Sequence, residues 1–243
     1  MAEKIKPYAE SNLDKKAQVE QMFDTISGEY DHLNRVISFG ADLRWRKKVV
    51  RMVAQHGGDK LLDIATGTGD LAIAFAKKTE AAEIIGLDLS QGMLNQAVVK
   101  VKDKAYSHRL KFIKGDSEAL PFESDYFDAI SVSFGVRNFE HLEQGLSEIY
   151  RVLKPGGLLV ILETSVPDKF PFKQGYRLYT RGIMPTIGRW FSKDKLAYRY
   201  LSDSASAFPY GQNFNNILSQ IGFIVQRHRP QTFGVATIYN ASK

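Results

Sequence analysis

Two glycines and an aspartate carry the first chemical signal in the sequence. Gly67 and Gly69 follow the apolar run of residues 60–65 and precede a helical pattern, which is typical of a nucleotide-binding turn between a strand and a helix. Asp88 ends the next apolar run, nineteen residues after Gly69, where its carboxylate can accept both hydroxyls of a ribose. NAD and S-adenosylmethionine share that ribose, so these residues predict a nucleotide site without choosing between the two.

Two further aspartates make that choice. Asp63 lies four residues before Gly67, and Asp116 ends the third apolar run. A pyrophosphate would be repelled by Asp63 and Asp70, because like charges at close range repel even in water, whereas the ammonium of a methionine moiety would be attracted. Asp116, followed by Ser117, can accept from an adenine amino group. We therefore expect S-adenosylmethionine as the cofactor.

Residue types restrict the chemistry further. The chain of 243 residues contains no cysteine, which excludes a thiol nucleophile, a thiolate zinc site and the iron–sulfur cluster of radical methylation. Residues 133–139 read SFGVRNF, which lacks the Asn/Asp-Pro-Pro-aromatic loop of adenine amino methyltransferases. Direct displacement at a sulfonium methyl group remains, and we expect no metal ion in the site.

An alternation of apolar runs and helical patterns positions these residues. The runs predict strands at residues 60–65, 83–89, 110–116, 127–134 and 157–164, and helices at about 70–79, 92–104 and 141–153. This order is typical of an α/β fold whose parallel sheet is covered on both faces. Residues 223–231 and 234–242 predict an antiparallel hairpin at the sheet edge, because no helix separates them. Pro155 and the glycines after it are expected to end the helix at 141–153.

The pattern divides the chain into an N-terminal helical cap, residues 1–56, and an α/β domain, residues 57–243. An insert at about 167–210, the basic aromatic segment, interrupts that domain. The formal net charge is +6, and residues 169–199 contain eight Lys or Arg against one Asp. Aromatic side chains such as Trp190 lie between these charges. A lid over the cofactor crevice, a membrane contact and a nucleic-acid surface would each use such a segment.

Longer motifs resemble one family. The stretches LLDIATGTGD (61–70), GLDLSQGML (86–94) and RVLKPGGLLVILE (151–163) are similar to the successive motifs of class I S-adenosylmethionine-dependent methyltransferases. The stretches YDHLNRVISFGADLRWR (30–46), FGVRNF (134–139) and ETSVPDKFPFKQGYRLYTRGIMPTIG (163–188) resemble the quinone C-methyltransferases of menaquinone and ubiquinone biosynthesis. Together these motifs extend the resemblance over nearly the whole chain.

The resemblance implies a fold, a reaction and a set of contacts. The fold is a Rossmann-like class I methyltransferase domain with a seven-stranded, mostly parallel sheet in the order 3-2-1-4-5-7-6. The reaction is C-methylation of a reduced prenylated naphthoquinol, demethylmenaquinol, to menaquinol. The family's cofactor contacts fall on Thr68, Asp88, Asp116, Ser117 and Ser133, with Asp63, Gly67 and Gly69 forming the loop. The family often has Asn-Ala in place of Asp116-Ser117, and Asp accepts from the adenine amino group as Asn does.

Three alternatives to that reaction stay open. They are methylation of a benzoquinol in the ubiquinone pathway, methylation of another small molecule, and a catalytically inactive module that only binds S-adenosylmethionine. A single sequence does not separate the first of these from menaquinol formation.

Catalysis on a quinol carbon needs a phenolate, because loss of the hydroxyl proton makes the adjacent carbon nucleophilic. Arg137 and Asn138 follow the fourth predicted strand and are candidates to hold the developing oxyanion, and a structural turn pinned by hydrogen bonds is the alternative. His32 is the best-placed histidine for a general base, and water is the alternative. Tyr30 and Asn34 are expected to line the ring pocket.

The N-terminal residues carry charge where a secretory signal needs an apolar core, and no apolar run reaches the roughly 20 residues that span a bilayer. We therefore expect a cytoplasmic protein. The basic aromatic segment is expected to admit the substrate and to make transient contact with the inner face of the cell membrane. A nucleic-acid partner is not expected, because no RNA-binding module is appended. A homodimer stays open.

Overall fold

Seven strands form a single sheet. The computed structural model describes residues 5–179, 182 and 194–243. Its strands are β1 (Lys60–Ile64), β2 (Glu83–Asp88), β3 (Leu110–Lys114), β4 (Phe127–Ser133), β5 (Leu153–Thr164), β6 (Ile224–Gln231) and β7 (Ala236–Ser242), in the spatial order β3-β2-β1-β4-β5-β7-β6. β1 to β5 pair in parallel, whereas β7 runs antiparallel to β5 and β6. The predicted fold, strand order and edge hairpin are confirmed.

Nine α-helices lie within the described residues. They are α1 (Lys15–Ile26), α2 (Tyr30–Ile37), α3 (Ala41–His56), α4 (Asp70–Lys78), α5 (Gln91–Val101), α6 (Leu142–Val152), α7 (Phe172–Leu178), α8 (Lys195–Ala207) and α9 (Gln212–Ile221). In the part of the chain that the structure describes, none of them is long and apolar enough to cross a membrane.

Apolar side chains hold a helical layer on each face of the sheet. On one face, Val49 of α3 and Phe75 of α4 are buried with Ile84 of β2. On the other face, Leu146 of α6 and Phe214 of α9 are buried in a separate cluster with strand residues. Each such side chain stabilises the fold by about 1.5–3 kcal/mol when fully buried. The two layers fix the positions at which the strands end.

A third apolar cluster belongs to the N-terminal helices. Met22 of α1 and Leu33 of α2 are buried against Met93 of α5 and Tyr200 of α8. These contacts bring α1 and α2 to the residues that follow β2, whereas α3 packs against the sheet itself. The domain boundary expected near residue 56 stays a prediction.

The segment between β4 and β5 differs from its prediction. The helix was expected to end before the motif KPGG, residues 154–157, and α6 does end at Val152. The next strand was expected to start at residue 157, but β5 begins at Leu153. Leu153 pairs with Phe127, and the register then shifts, so that the next pair joins Ala129 to Leu158. The motif therefore forms an irregularity inside β5, because pairing of the buried Leu153 with β4 outweighs the local turn preference.

The glycine loop between β1 and α4 depends on two left-handed glycines. Gly67 has a φ of 58° and Gly69 a φ of 82°, a region that favours glycine. A Cβ on Gly67 would meet only the Tyr30 ring, at 3.8 Å, whereas a Cβ on Gly69 would lie 2.7 Å from Phe112 and 2.9 Å from Ala97. Gly67 thus leaves space in the loop, and Gly69 lets α4 begin close to β3 and α5.

We expect Gly69→Ala to destabilise the fold more than the matched substitution Gly40→Ala. Gly40, which precedes α3, has nearly the same backbone conformation (φ 71°, ψ 7°) as Gly69 (φ 82°, ψ 10°), but a Cβ there would meet no atom within 4 Å. Gly40→Ala should cost about 1 kcal/mol for the left-handed conformation alone. Gly69→Ala should cost about 1–3 kcal/mol more through overpacking. Urea unfolding of both variants measures the difference, and equal losses would contradict the packing role of Gly69.

Candidate active site

A cleft at the carboxyl ends of β1 to β4 brings together most of the predicted cofactor residues. It has a volume of about 720 Å³, and we call it the strand-end cleft. The predicted residues that line it are Gly67, Asp88, Asp116, Ser117 and Ser133. Ligands of open α/β sheets bind beyond the carboxyl ends of the strands, so this cleft lies where a nucleotide is expected.

Asp88 is held in the strand-end cleft by backbone groups. The Gly67 N–H donates to its Oδ2 at 2.7 Å, and the Ser90 N–H donates to its Oδ1 at 2.9 Å. Asp88 is 9% exposed, and its burial raises the pKa of the carboxyl to about 6. A carboxylate offers about four acceptor sites, so each oxygen can accept a further hydrogen bond from a ribose hydroxyl.

A smaller cavity of about 320 Å³, the side cavity, adjoins the strand-end cleft at Gly67 and Ser133. Its walls also include Asp63, Thr68 and Arg46. Two buried polar atoms of these walls, Ser133 Oγ and Arg46 Nε, have no hydrogen-bond partner among the described residues. Buried polar groups are rarely left unpaired, so the side cavity has the character of a site for a charged ligand group.

Asp63 supports the glycine loop from inside the sheet. The Ser131 hydroxyl donates to its Oδ1 at 2.5 Å, and the Thr66 hydroxyl donates to its Oδ2 at 2.6 Å. Burial raises the pKa of Asp63 to about 6. Asp63 therefore fixes Thr66 next to Gly67 and, when ionised, places negative charge beside the side cavity.

Asp116 forms an ion pair that the sequence pattern did not predict. Lys16 of α1 places its Nζ 2.8 Å from Asp116 Oδ2, and the Glu118 N–H donates to Asp116 Oδ1 at 2.8 Å. The pair is partly exposed, and such pairs contribute about 0–1 kcal/mol to stability. The ion pair matters mainly for position, because it brings α1 to the edge of the strand-end cleft. An adenine amino group at Asp116 would share that carboxylate with Lys16.

Thr68 belongs to a charged network, the Lys100 clamp, which consists of Asp31, Thr68, Asp70 and Lys100. Lys100 Nζ lies 2.5 Å from Asp31 Oδ2 and 2.7 Å from both Asp70 Oδ1 and Thr68 Oγ1. The Thr68 hydroxyl donates to Asp31 at 2.7 Å, and Arg46 adds a second cation 2.8 Å from Asp70. Although burial alone would raise it, Lys100 and Arg46 hold the pKa of Asp70 below its usual value. The clamp joins α2 and α5 to the glycine loop.

A second large cavity, the aromatic chamber, adjoins the strand-end cleft. It has a volume of about 880 Å³, and its aromatic walls are Tyr30, Trp45, Phe134, Tyr176 and Tyr179. Tyr30 and Phe134 line both cavities, so ligands in the two cavities would meet there. Aromatic side chains favour stacked or edge-to-face contact with other rings, so the chamber suits a planar aromatic ligand.

Arg137 lies in the wall of the aromatic chamber. Its Nη1 is 2.5 Å from Glu163 Oε1 and donates to the Phe134 carbonyl oxygen at 3.0 Å, whereas its Nε has no partner among the described residues. Although burial lowers it, the neighbouring Glu163 carboxylate holds the pKa of Arg137 above its usual value. Arg137 therefore stays charged, and it is a fixed donor beside the chamber.

The other two predicted catalytic residues lie elsewhere. Asn138 lines the strand-end cleft, accepts from the Tyr200 hydroxyl at 3.2 Å and donates to the Phe134 carbonyl at 3.4 Å. His32 is exposed, and it is not among the described residues that line either cavity. The structure thus brings Arg137 to the chamber and Asn138 to the cleft, and it brings His32 to neither.

Several charged residues of the site were not singled out by type or spacing. They include Lys16, Asp31, Asp42, Arg46 and Lys100. Asp31, Asp42 and Arg46 lie in the stretch 30–46, which resembles a family motif, but the resemblance did not assign a role to each residue. No nearby sequence motif marks Lys16 or Lys100 as a site residue, because the residues that they contact are distant in the chain.

Comparison with known proteins identifies close relatives. The model of the ubiE/COQ5 methyltransferase family matches residues 11–243. The chain is 47% identical to a demethylmenaquinone methyltransferase of Bacteroides fragilis, over 99% of this chain and 98% of that protein. It is 43% identical to the ubiquinone/menaquinone biosynthesis C-methyltransferase UbiE of Geobacter sulfurreducens, over 95% of this chain and 90% of that protein.

Solved structures show the same fold at low sequence identity. The cyclase SpnF superposes with a TM-score of 0.70 at 19% identity, over 94% of this chain and 96% of its own. An S-adenosylmethionine-dependent methyltransferase from Aquifex aeolicus superposes with a TM-score of 0.57 at 20% identity, over 81% of this chain and 88% of its own. At this identity the likeness concerns the fold alone, and it agrees with the class I sheet order.

The residues of the strand-end cleft and of the side cavity fit S-adenosylmethionine. Asp88 offers acceptors for ribose hydroxyls, and Asp63 provides negative charge beside the side cavity, where an ammonium would be favoured. The unpartnered Arg46 Nε and Ser133 Oγ offer donors for a carboxylate. The cofactor expected from the sequence is therefore consistent with the fold, the matched methyltransferase family and the chemistry of the donors.

We expect binding of S-adenosylhomocysteine to weaken as the pH falls through the Asp88 titration. Burial raises the pKa of Asp88 to about 6, so below that pH the free protein carries a neutral carboxyl with fewer acceptors. If only the ionised form binds, Kd should rise about fivefold between pH 6 and pH 5 and about tenfold between pH 7.5 and pH 5. Calorimetric titration at pH 5, 6 and 7.5 measures this change.

The control for this prediction is Asp88→Asn. The variant should bind at least about tenfold more weakly at pH 7.5, since hydrogen bonds to a charged group contribute roughly 1.5–3 kcal/mol. Its Kd should vary less with pH than that of the native protein, and Asp63 would account for the remainder because burial also raises its pKa to about 6. An unchanged pH dependence would show that another group controls binding.

Proposed function

The chain belongs to the ubiE/COQ5 methyltransferase family, and from this premise we propose that it converts demethylmenaquinol to menaquinol. The reaction is S-adenosylmethionine-dependent methylation of a ring carbon in a reduced prenylated naphthoquinone. The observation that carries the proposal is the meeting of the strand-end cleft with the aromatic chamber at Tyr30 and Phe134. A cofactor and an aromatic ring placed in these cavities would face each other.

The chamber residues have tasks that suit this chemistry. S-adenosylmethionine, when bound, supplies an electrophilic methyl group. Arg137 presents a fixed cation to an oxygen that gains negative charge, and preorganised donors of this kind are worth several kcal/mol in a water-poor site. The rings of Tyr30, Trp45 and Phe134 orient a planar substrate, and positioning by itself supplies a large part of the rate.

A groove beside the chamber supports a prenylated substrate. It has a volume of about 1000 Å³, and its wall is shared with the chamber at Ile37, Ser38, Trp45, Tyr176, Tyr179 and Val235. We call it the prenyl groove. Its other lining residues include Phe39, Pro167, Pro171, Phe172 and Phe233. An apolar path that continues outward from the chamber suits an isoprenoid tail attached to a ring.

The mouth of the prenyl groove exposes three phenylalanines. Phe39 is 79% exposed and Phe233 is 70% exposed, and the Phe233 ring stacks on Phe172 with centroids 4.1 Å apart. Phe39 and Phe233 also adopt left-handed φ angles, which are uncommon for bulky residues. The fold therefore keeps large apolar side chains in water at the groove mouth, and this supports a mouth that faces a lipid surface.

An assay with two quinols tests the proposed function. Purified protein with labelled S-adenosylmethionine should transfer methyl to reduced prenylated naphthoquinol, with kcat/KM at least about tenfold higher than for the matching prenylated benzoquinol. The fused ring gives more contact with the aromatic walls, and aromatic pairs are worth about 0.5–1.5 kcal/mol each beyond their burial. A preference for the benzoquinol would move the reaction to the ubiquinone pathway. Absence of any transfer in a single turnover would support the inactive binding module instead.

We further propose transient membrane contact through the basic aromatic segment. Residues 180–181 and 183–193 of that segment, which include Arg181, Trp190 and Phe191, lie outside the described residues. Of the described basic residues, Lys169 is exposed and lies close in sequence to the exposed Phe170. Cationic side chains near anionic lipid contribute about 1 kcal/mol each. The substrate resides in the bilayer, so such contact would bring the groove mouth to it.

Flotation with anionic vesicles tests this contact. The native protein should float at low salt and remain in solution as salt rises, because charge attraction is screened. Replacing Lys173, Arg177 and Arg181 with Glu should abolish flotation and leave binding of S-adenosylhomocysteine unchanged.

The matched control for the flotation experiment changes Lys77, Lys78 and Lys104 to Glu. All three are exposed and lie outside the described walls of the prenyl groove, and the change in net charge is the same. Control protein should still float. Loss of flotation in both variants would show dependence on net charge alone, and flotation of both would exclude the segment as the contact.

A further inference from the structure

The wall of the aromatic chamber also contains a buried carboxylate. Asp42 lies in the first turn of α3, is 2% exposed and lines the chamber. The Ser38 hydroxyl donates to its Oδ1 at 2.7 Å. Its Oδ2 is buried and has no hydrogen-bond partner among the described residues. We propose that Asp42 is the general base that takes the hydroxyl proton of the quinol, an inference that rests on the proposed function.

The unpartnered oxygen is the observation that carries this proposal. A buried carboxylate oxygen without a donor is costly, and such an atom in a folded protein needs an explanation. The position of Asp42 at the start of α3 explains why the fold tolerates the charge, since a helix N-terminus favours an anion. It does not explain an unpaired oxygen on a side chain that lines a cavity. A substrate hydroxyl in the chamber would supply the missing donor.

The other polar groups that face the chamber cannot accept that proton. The titratable and charged side chains of the described wall besides Asp42 are Tyr30, Arg46, Arg137, Tyr176 and Tyr179. Burial raises the pKa of Tyr30, Tyr176 and Tyr179, so these hydroxyls stay protonated and act as donors. The arginines carry their positive charge throughout. Among the described lining residues, Asp42 is the single carboxylate.

Two other candidates for the base are excluded by their surroundings. Glu163 is fully buried behind Arg137, and it also accepts from the backbone N–H and the hydroxyl of Thr164. It lies outside the described wall of the chamber. His32, the histidine favoured by sequence, is exposed and away from both cavities. We therefore assign the role of general base to Asp42 and not to His32.

The proton transfer has a simple balance. The O–H bond of the quinol breaks, its electron pair stays on the oxygen, and the proton forms a new O–H bond with Asp42 Oδ2. The resulting phenolate lies in the same chamber as the Arg137 guanidinium, which favours the charged oxygen. The ring carbon is thereby activated to take the methyl group. Its ring proton is then lost to water, and the oxygen takes a proton back to restore the quinol hydroxyl, so one proton is released overall. Asp42 is regenerated when its proton passes to water.

Asp42→Asn tests the assignment with a nearly isosteric side chain that cannot accept the proton as a carboxylate does. At saturating cofactor, kcat should fall by about 10²–10⁴-fold, the usual contribution of general-base catalysis. KM for the quinol and Kd for S-adenosylhomocysteine should change by less than about threefold. The kcat of the native protein should fall at acid pH, and the variant should lose this acid limb of the pH profile.

Two further variants keep the test decisive if Asp42→Asn folds poorly. Ser38→Ala removes the hydrogen bond to Asp42 but keeps the carboxylate, so it should retain the acid limb and most of kcat. Asp42→Ala opens space for a small carboxylate, and added formate should restore kcat at least about tenfold, which a purely structural role would not allow.

The outcomes separate this inference from the proposed function. Native protein that methylates the quinol, together with an Asp42→Asn variant of unchanged kcat and pH profile, overturns the role of Asp42 alone. A fall in kcat that formate does not restore and that leaves the acid limb in place also overturns it. Native protein that transfers no methyl to any quinol overturns the proposed function itself.

Discussion

The attachment of Lys100 to α2 and to the glycine loop is the interaction on which both cavities depend. Its ammonium contacts Asp31 of α2, Thr68 of the glycine loop and Asp70 at the start of α4, all within 2.7 Å. Side chains only partly exposed to water are screened less than surface pairs, so this clamp is worth more than an exposed ion pair. Because Tyr30 precedes Asp31 directly, fixing Asp31 also fixes the ring that lines both the strand-end cleft and the aromatic chamber.

The arrangement concentrates buried carboxylates at one edge of the sheet. Asp63, Asp88 and Asp42 are each 9% exposed or less, and their charge is tolerated only because hydroxyls, backbone N–H groups or a helix N-terminus face them. Ionising Asp63 and Asp88 inside the fold costs stability, since burial raises both pKa values to about 6. Between the unfolded value near 4 and about 6, rising pH therefore removes stability through these two groups. A site for a cationic, hydroxyl-rich cofactor explains why that cost is retained.

The local sequence pattern predicted the strands and helices. Contacts between residues that are distant in the chain determine the geometry of the site. Apolar runs separated by helical periods placed β1 to β5, and the aspartates that end them met at one edge because parallel strands share a direction. The pairing of Lys16 with Asp116 joins residues 100 positions apart, and no spacing rule predicts it. His32 was favoured for its residue type, but the helical phase of α2 turns it to water. Asp42 was passed over because its burial and its unpaired oxygen exist only in the folded chain.

The strand-end cleft and the aromatic chamber meet at Tyr30 and Phe134, and the proposed reaction requires the cofactor and the quinol ring to face each other there. A crystal structure with S-adenosylhomocysteine and a non-reactive prenylated naphthol tests it most directly. We expect the ribose at Asp88 and the naphthol ring in the aromatic chamber. We also expect a ring carbon that faces the sulfur and a hydroxyl within hydrogen-bond distance of Asp42 Oδ2. A naphthol bound outside the chamber, or a ring separated from the sulfur by intervening protein, would contradict it.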